Sequence, residues 1–85
     1  MGEAAVTTRV KAAVRRWAGM KPDDGLVLDE KLEDLRPDAS AELRVEINRE
    51  FVGSHAFPIE TAEWNQMGLE SVRQVRDQVK TRVEG

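Results

Sequence analysis

Residues 41–51 read AELRVEINREF, and the spacing of their apolar side chains decides the fold. Leu43, Ile47 and Phe51 recur every four residues, which places all three on one face of a helix. A helix with one apolar face needs other elements to cover that face. The stretch therefore predicts a helix packed inside a small helical domain.

The ends of this helix carry ordinary boundary signals. Pro37 comes just before it, and either Asp38 or Ser40 is a natural N-cap, a residue whose side chain accepts a hydrogen bond from an early backbone amide. If Ser40 is the cap, its hydroxyl bonds the amide near Leu43. Gly53 interrupts the periodicity at the other end.

Helical periodicity continues on both sides of this segment. We expect a first helix that ends at Gly19, a short third helical piece over about 59–65, and a last helix from near Gly68 to Val83. The inner face of the first helix is formed by Val6, Val10, Val14 and Trp17. The inner face of the last helix is formed by Leu69, Val72, Val75 or Arg76, Val79 and Val83. A long connector over about 20–37 joins the first two helices, and nothing alternates with period two for long enough to form a sheet. The prediction is one all-α domain over 1–85, with four helices, a long first loop and a short third helix.

The composition excludes several classes of protein. Eighty-five residues with 40% apolar content form one modest core, too small for a two-layer nucleotide-binding enzyme. The chain has no cysteine, which excludes disulfides and thiolate chemistry, and its formal net charge of −3 disfavours binding to a phosphate backbone. No apolar run approaches the ~18 residues of a membrane span, and no secretory signal pattern is visible. We therefore expect a monomeric, cytoplasmic protein.

No group of residues predicts catalysis or metal binding. His55 is the only histidine, and without a second histidine or a cysteine a metal site or a nucleophile–base pair has too few parts. We assign the aromatic residues to the core, and an enzyme is the least favoured class. A nucleic-acid binder is a third hypothesis, because the first helix carries four cations; the long connector argues against a helix-turn-helix. These cations are Arg9, Lys11, Arg15 and Arg16.

Four motifs, taken in their order and spacing, resemble the acyl carrier protein family. They are RVK at 9–11, LEDL at 32–35, AELRVEINREF at 41–51 and FPIETAE at 57–63. The similarity covers about Val6 to Val79. It implies a four-helix bundle of acyl-carrier type and a 4′-phosphopantetheine arm on a serine at the start of the second helix.

The resemblance also implies partners. A phosphopantetheinyl transferase would attach the arm, and acyl-handling enzymes of fatty acid or polyketide biosynthesis would use the thioester on it. The acidic side of the second helix would meet basic patches on these partners. Its residues are Asp38, Glu42, Glu46 and Glu50.

The attachment motif departs from the Asp-Ser-Leu of the family. An alignment without gaps puts Pro37 at the serine position and leaves no attachment residue. With one more residue in the loop, Ser40 becomes the attachment residue, between Ala39 and Ala41. Both alignments remain open at this point.

A second serine lies in a stretch that is closer to the family signature. Residues 67–71 read MGLES, but only fourteen residues follow Ser71, too few for the remaining helices of a carrier domain. Ser71 is therefore the minority candidate, and we expect it at the start of the last helix.

Two non-catalytic functions follow from the resemblance. The first is a carrier module that tethers an acyl or related thioester intermediate through a phosphopantetheine arm and presents it to biosynthetic enzymes. The alternative is a degenerate carrier fold without a prosthetic group, which acts as a protein–protein adaptor or regulatory subunit.

Overall fold

The computed structural model describes residues 2–84, which form five α helices and no strand. The prediction of an all-α fold is confirmed. The only extended pairing among these residues is an isolated antiparallel bridge between Lys31 and Ser71. No helix in this range is long and apolar enough to cross a lipid bilayer. The helices are α1 (Glu3–Ala18), α2 (Leu32–Leu35), α3 (Ser40–Glu50), α4 (Thr61–Met67) and α5 (Val72–Glu84).

Helix α1 lies at the centre of the fold and packs against both α3 and α5, while α4 packs against α3. The apolar rows predicted for the three long helices form the core, which α2 and the loops complete with Leu26, Leu32 and Ile59. Leu69 and Val83, predicted on the inner face of the last helix, are only half-buried at its edge.

The sequence left open whether Val75 or Arg76 lies on the inner face of the last helix. In the structure both side chains are buried. The guanidinium of Arg76 binds Glu3 at 2.9 Å and Asp77 at 2.7 Å and donates to the Thr7 hydroxyl at 3.2 Å. A buried charge needs such partners, and here they join the start of α1 to the middle of α5.

Helix α2 is the element that the sequence-based count of four helices left out. It is a single turn inside the predicted connector, held by the buried side chain of Leu32 and by a 2.9 Å bond from the Arg36 amide to the Leu32 carbonyl. One turn is too short to produce a detectable period.

The predicted start of the last two helices also shifts along the chain. Ile59 was expected to begin α4, but the side-chain amide of Asn48 binds both the N–H and the C=O of Ile59 and keeps that residue ahead of the helix. Gly68 was expected to begin the last helix and instead ends α4 with φ 58°. α5 begins at Val72, after the bridge.

The predicted N-cap of α3 is wrong. Ala39 occupies the cap position, and no side chain bonds the first amides of the helix. Ser40 is already the first helical residue, and Asp38 turns the chain in the left-handed region with φ 58°. The hydroxyl of Ser40 is therefore not used in capping.

Candidate functional site

The hydroxyl of Ser40 is exposed at the tip of α3. It makes no hydrogen bond within residues 2–84. The preceding residue is fixed, because the buried indole of Trp17 donates a 2.7 Å hydrogen bond to the Ala39 carbonyl. The tip of α3 is thus attached to the end of α1, and its first side chain points to where another macromolecule can reach it.

Ser40 lines a surface depression of about 420 Å³. Its walls come from the α2 turn, the entry to α3 and the segment that follows α4. The apolar lining consists of Leu32 and Leu69, and the charged lining of Lys31, Glu33, Arg36, Asp38 and Glu70. We call this feature the α2–α3 depression.

Backbone hydrogen bonds hold the two sides of the depression together. The Leu32 amide donates to the Glu70 carbonyl at 2.9 Å, and the Val72 amide donates to the Glu30 carbonyl at 3.0 Å. An ion pair of 2.8 Å between Arg73 and Asp29 reinforces this contact between the connector and α5. The segment of MGLES and the entry to α3, which each supplied one candidate serine, therefore meet at the same depression.

Ser71 has a structural role that Ser40 lacks. Its hydroxyl accepts a hydrogen bond from the Gln74 amide at 3.3 Å, the N-cap interaction for α5, and the side chain is half-buried beside the bridge. The expected position of Ser71 at the start of the last helix is confirmed.

The four acidic residues predicted as a docking strip do not form one free surface. Glu46 and Glu50 face α1, where the guanidinium of Arg16 binds them at 3.1 Å and 2.9 Å. Burial disfavours the charge on Arg16, but the hydrogen bonds to the two carboxylates outweigh it and raise its pKa. Arg9 also binds both the carboxylate and the backbone carbonyl of Glu50.

These ion pairs account for much of the charge on both sides of the α1–α3 contact. Two of the four cations that suggested nucleic-acid binding, Arg9 and Arg16, form ion pairs with carboxylates of α3. Of the predicted docking strip, Glu42 is 64% exposed and pairs with Arg36, and Asp38 is exposed without an ion pair within residues 2–84.

Four carboxylates in or next to the depression form no ion pair within the described part of the chain, and one of them, Asp38, also belongs to the predicted docking strip. Glu33, Asp38 and Glu70 line the depression, and Asp34 follows Glu33 on α2. We call these four residues the acidic rim. The LEDL stretch was noted only for its resemblance, and its charge was missed. The available signal was two adjacent acidic residues, Glu33 and Asp34, between two leucines.

The residues around Ser40 fit a phosphodiester attached to its hydroxyl. Ser40 is exposed, the first amides of α3 have no side-chain cap, and the depression contains the cations Lys31 and Arg36. Within residues 2–84 no group of acidic or histidine side chains could hold a metal ion. His55 lies exposed in the turn after α3.

Comparison of this chain with protein-family models, with curated proteins and with solved structures finds no match.

Proposed function

We propose that the protein is a carrier module in which Ser40 bears a 4′-phosphopantetheine arm. The arm tethers an acyl or related thioester intermediate and presents it to biosynthetic enzymes. The observation that carries this proposal is the exposed hydroxyl of Ser40, free of hydrogen bonds within residues 2–84, at the first position of α3 and beside the α2–α3 depression.

The order of the helices supports the proposal. A long helix, a long loop, a helix that starts at a serine, a short helix and a last helix follow one another as the resemblance implies, and the loop contains one helical turn that was not expected. Pro37, the attachment position in the alignment without gaps, lies in the loop before α3 and has no nucleophilic side chain. The start of α3 at Ser40 favours the alignment with the longer loop.

In this proposal the protein supplies only one reacting group, the hydroxyl of Ser40. Loading uses coenzyme A: a bond forms between Ser40 Oγ and the phosphorus of the pantetheine phosphate, the pyrophosphate bond to that phosphorus breaks, and 3′,5′-ADP leaves. The proton of the Ser40 hydroxyl goes to a base of the transferase. The module then performs no bond chemistry; the tether raises the local concentration of the intermediate at each enzyme.

Incubation with coenzyme A and a broad-specificity phosphopantetheinyl transferase should add the mass of one arm to the intact protein. Fragmentation of the product should place the added mass on a peptide that contains Ser40. Intact-mass spectrometry after parallel incubations with and without coenzyme A is the measurement. A folded protein whose mass stays unchanged, while a known carrier in the same tube is loaded, would remove the carrier function.

The acidic rim is the surface that we propose for the partners, since three of its four residues line the same depression as Ser40 and its carboxylates form no ion pair within residues 2–84. Complementary charge acts mainly on the rate of encounter. The double substitution Glu33→Lys and Asp34→Lys should therefore slow loading by the transferase about tenfold at low salt. Loading rates from intact mass, measured at low and high salt, check this.

Two other carboxylates provide a matched control for this charge reversal. Asp23 and Glu60 are exposed, form no ion pair within residues 2–84 and do not line the depression. Asp23→Lys with Glu60→Lys changes the net charge by the same amount and should have a much smaller effect. Equal slowing by both double substitutions would mean that net charge, and not the acidic rim, guides the encounter.

An adaptor without an arm is the second candidate function. The observation that favours it is Ala39, which stands where the family has an acidic residue directly before the serine. In this case the transferase leaves the mass unchanged and Ser40→Ala has no effect on biological activity.

A further inference from the structure

We infer that Arg36 binds the phosphate group carried by Ser40, an inference that rests on the function proposed above. Arg36 and Ser40 line the same depression. The side chain of Arg36 is 40% exposed, so a ligand in the depression can reach part of it. Arg36 would thus be a positioning residue, which sets the direction in which the arm leaves the protein.

Two hydrogen bonds connect Arg36 to the residue before Ser40. The guanidinium donates to the Trp17 carbonyl at 2.9 Å, and the indole of Trp17 donates to the Ala39 carbonyl at 2.7 Å. Trp17 of α1 therefore binds both Arg36 and the residue just before Ser40. The place of Arg36 relative to Ser40 is thus set through Trp17.

The guanidinium keeps hydrogen-bond donors for a further ligand. It has five N–H groups, of which one binds Trp17 and another binds the exposed carboxylate of Glu42 at 2.5 Å. Arginine binds phosphate oxygens with paired, charge-assisted hydrogen bonds, which are stronger than neutral ones. The remaining donors are the ones that a phosphate on Ser40 would use.

A cation at this point also has an electrostatic purpose. Three carboxylates line the depression and repel a phosphate, and the lining offers only two cations, Lys31 and Arg36. The ammonium of Lys31 makes no hydrogen bond within residues 2–84 that would fix it, whereas Arg36 is fixed on one side. Arg36 is accordingly the residue that we assign to the phosphate.

The test uses the full 85-residue chain made by chemical synthesis with phosphoserine at position 40, titrated by ³¹P NMR. In the parent sequence Arg36 should lower the second pKa of the phosphate, because an adjacent cation favours the dianion. Arg36→Gln should raise this pKa by about half a unit. Arg73→Gln, which removes an equal charge where Arg73 pairs with Asp29, should change it far less. Equal pKa values in the two variants would overturn the inference.

A second variant keeps the test valid if Arg36→Gln loosens the fold. Arg36→citrulline retains the planar N–H groups that bind Trp17 and removes the charge, and it should raise the phosphate pKa by a similar amount. No change with citrulline would also overturn the inference. The titration uses no transferase, so its failure leaves the carrier function standing, while an unchanged mass with the transferase removes that function separately.

Discussion

Replacing Phe51 by alanine should lower the free energy of unfolding by about 3–5 kcal/mol, the largest stability effect that we expect from one substitution. The side chain is fully buried at the end of α3, and its ring stacks on Phe57 with 5.4 Å between centroids. The guanidinium of Arg9 also lies over the Phe51 ring, 4.6 Å from its centroid. Alanine therefore leaves a cavity and removes an aromatic and a cation–π contact at once.

Urea denaturation followed by far-UV circular dichroism measures this loss. A domain of this size has a total stability of roughly 5–15 kcal/mol, so a loss of about 3–5 kcal/mol is a large share of it and should lower the urea midpoint strongly. Val52→Ala is the matched control, because the neighbouring side chain is 81% exposed and its truncation should cost less than about 0.5 kcal/mol. If Phe51→Ala and Val52→Ala cost the same, the packing around α3 is not as described.

The core could be predicted from the sequence because its signal is periodic. Leu43, Ile47 and Phe51 recur every four residues over a little more than two turns, and all three are fully buried. The same reasoning found the buried face of α1 and most of that of α5. Leu69 and Val83, the two ends of the inner face predicted for the last helix, are only half-buried.

The helix ends could not be predicted in the same way, because contacts distant in sequence decide them. Asp38 and Ser40 both have side chains suited to capping, yet the residue in the cap position is Ala39, whose carbonyl is bound by the indole of Trp17, twenty-two residues earlier. Asn48 likewise sets the start of α4 by binding the backbone of Ile59. Local propensity does not include such partners.

The electrostatics of the candidate site required the structure for a similar reason. The four-residue spacing of Glu42, Glu46 and Glu50 correctly places them along one helix, but it does not show that Arg16 binds two of them. The carboxylates of the acidic rim come from α2, from the entry to α3 and from Glu70 just before α5, which only the fold brings together.

Alanine substitution of the two candidate serines should produce opposite results. Ser40→Ala should abolish loading by the transferase and leave the stability nearly unchanged, because the hydroxyl makes no hydrogen bond within residues 2–84. Ser71→Ala should keep the full rate of loading and lower the stability by about 1 kcal/mol, because it removes the N-cap of α5. Intact-mass spectrometry gives the extent of loading of each variant, and urea denaturation gives the stability of each.

This crossed design separates the attachment site from a general loss of structure. A loss of loading in Ser40→Ala cannot come from unfolding if its urea midpoint equals that of the parent protein. Loading that persists in Ser71→Ala, despite a lower midpoint, shows that the transferase tolerates modest destabilisation. If instead Ser71→Ala blocks loading and Ser40→Ala does not, the arm belongs on Ser71; the hydroxyl of Ser71 would then have to leave the Gln74 amide before it could react.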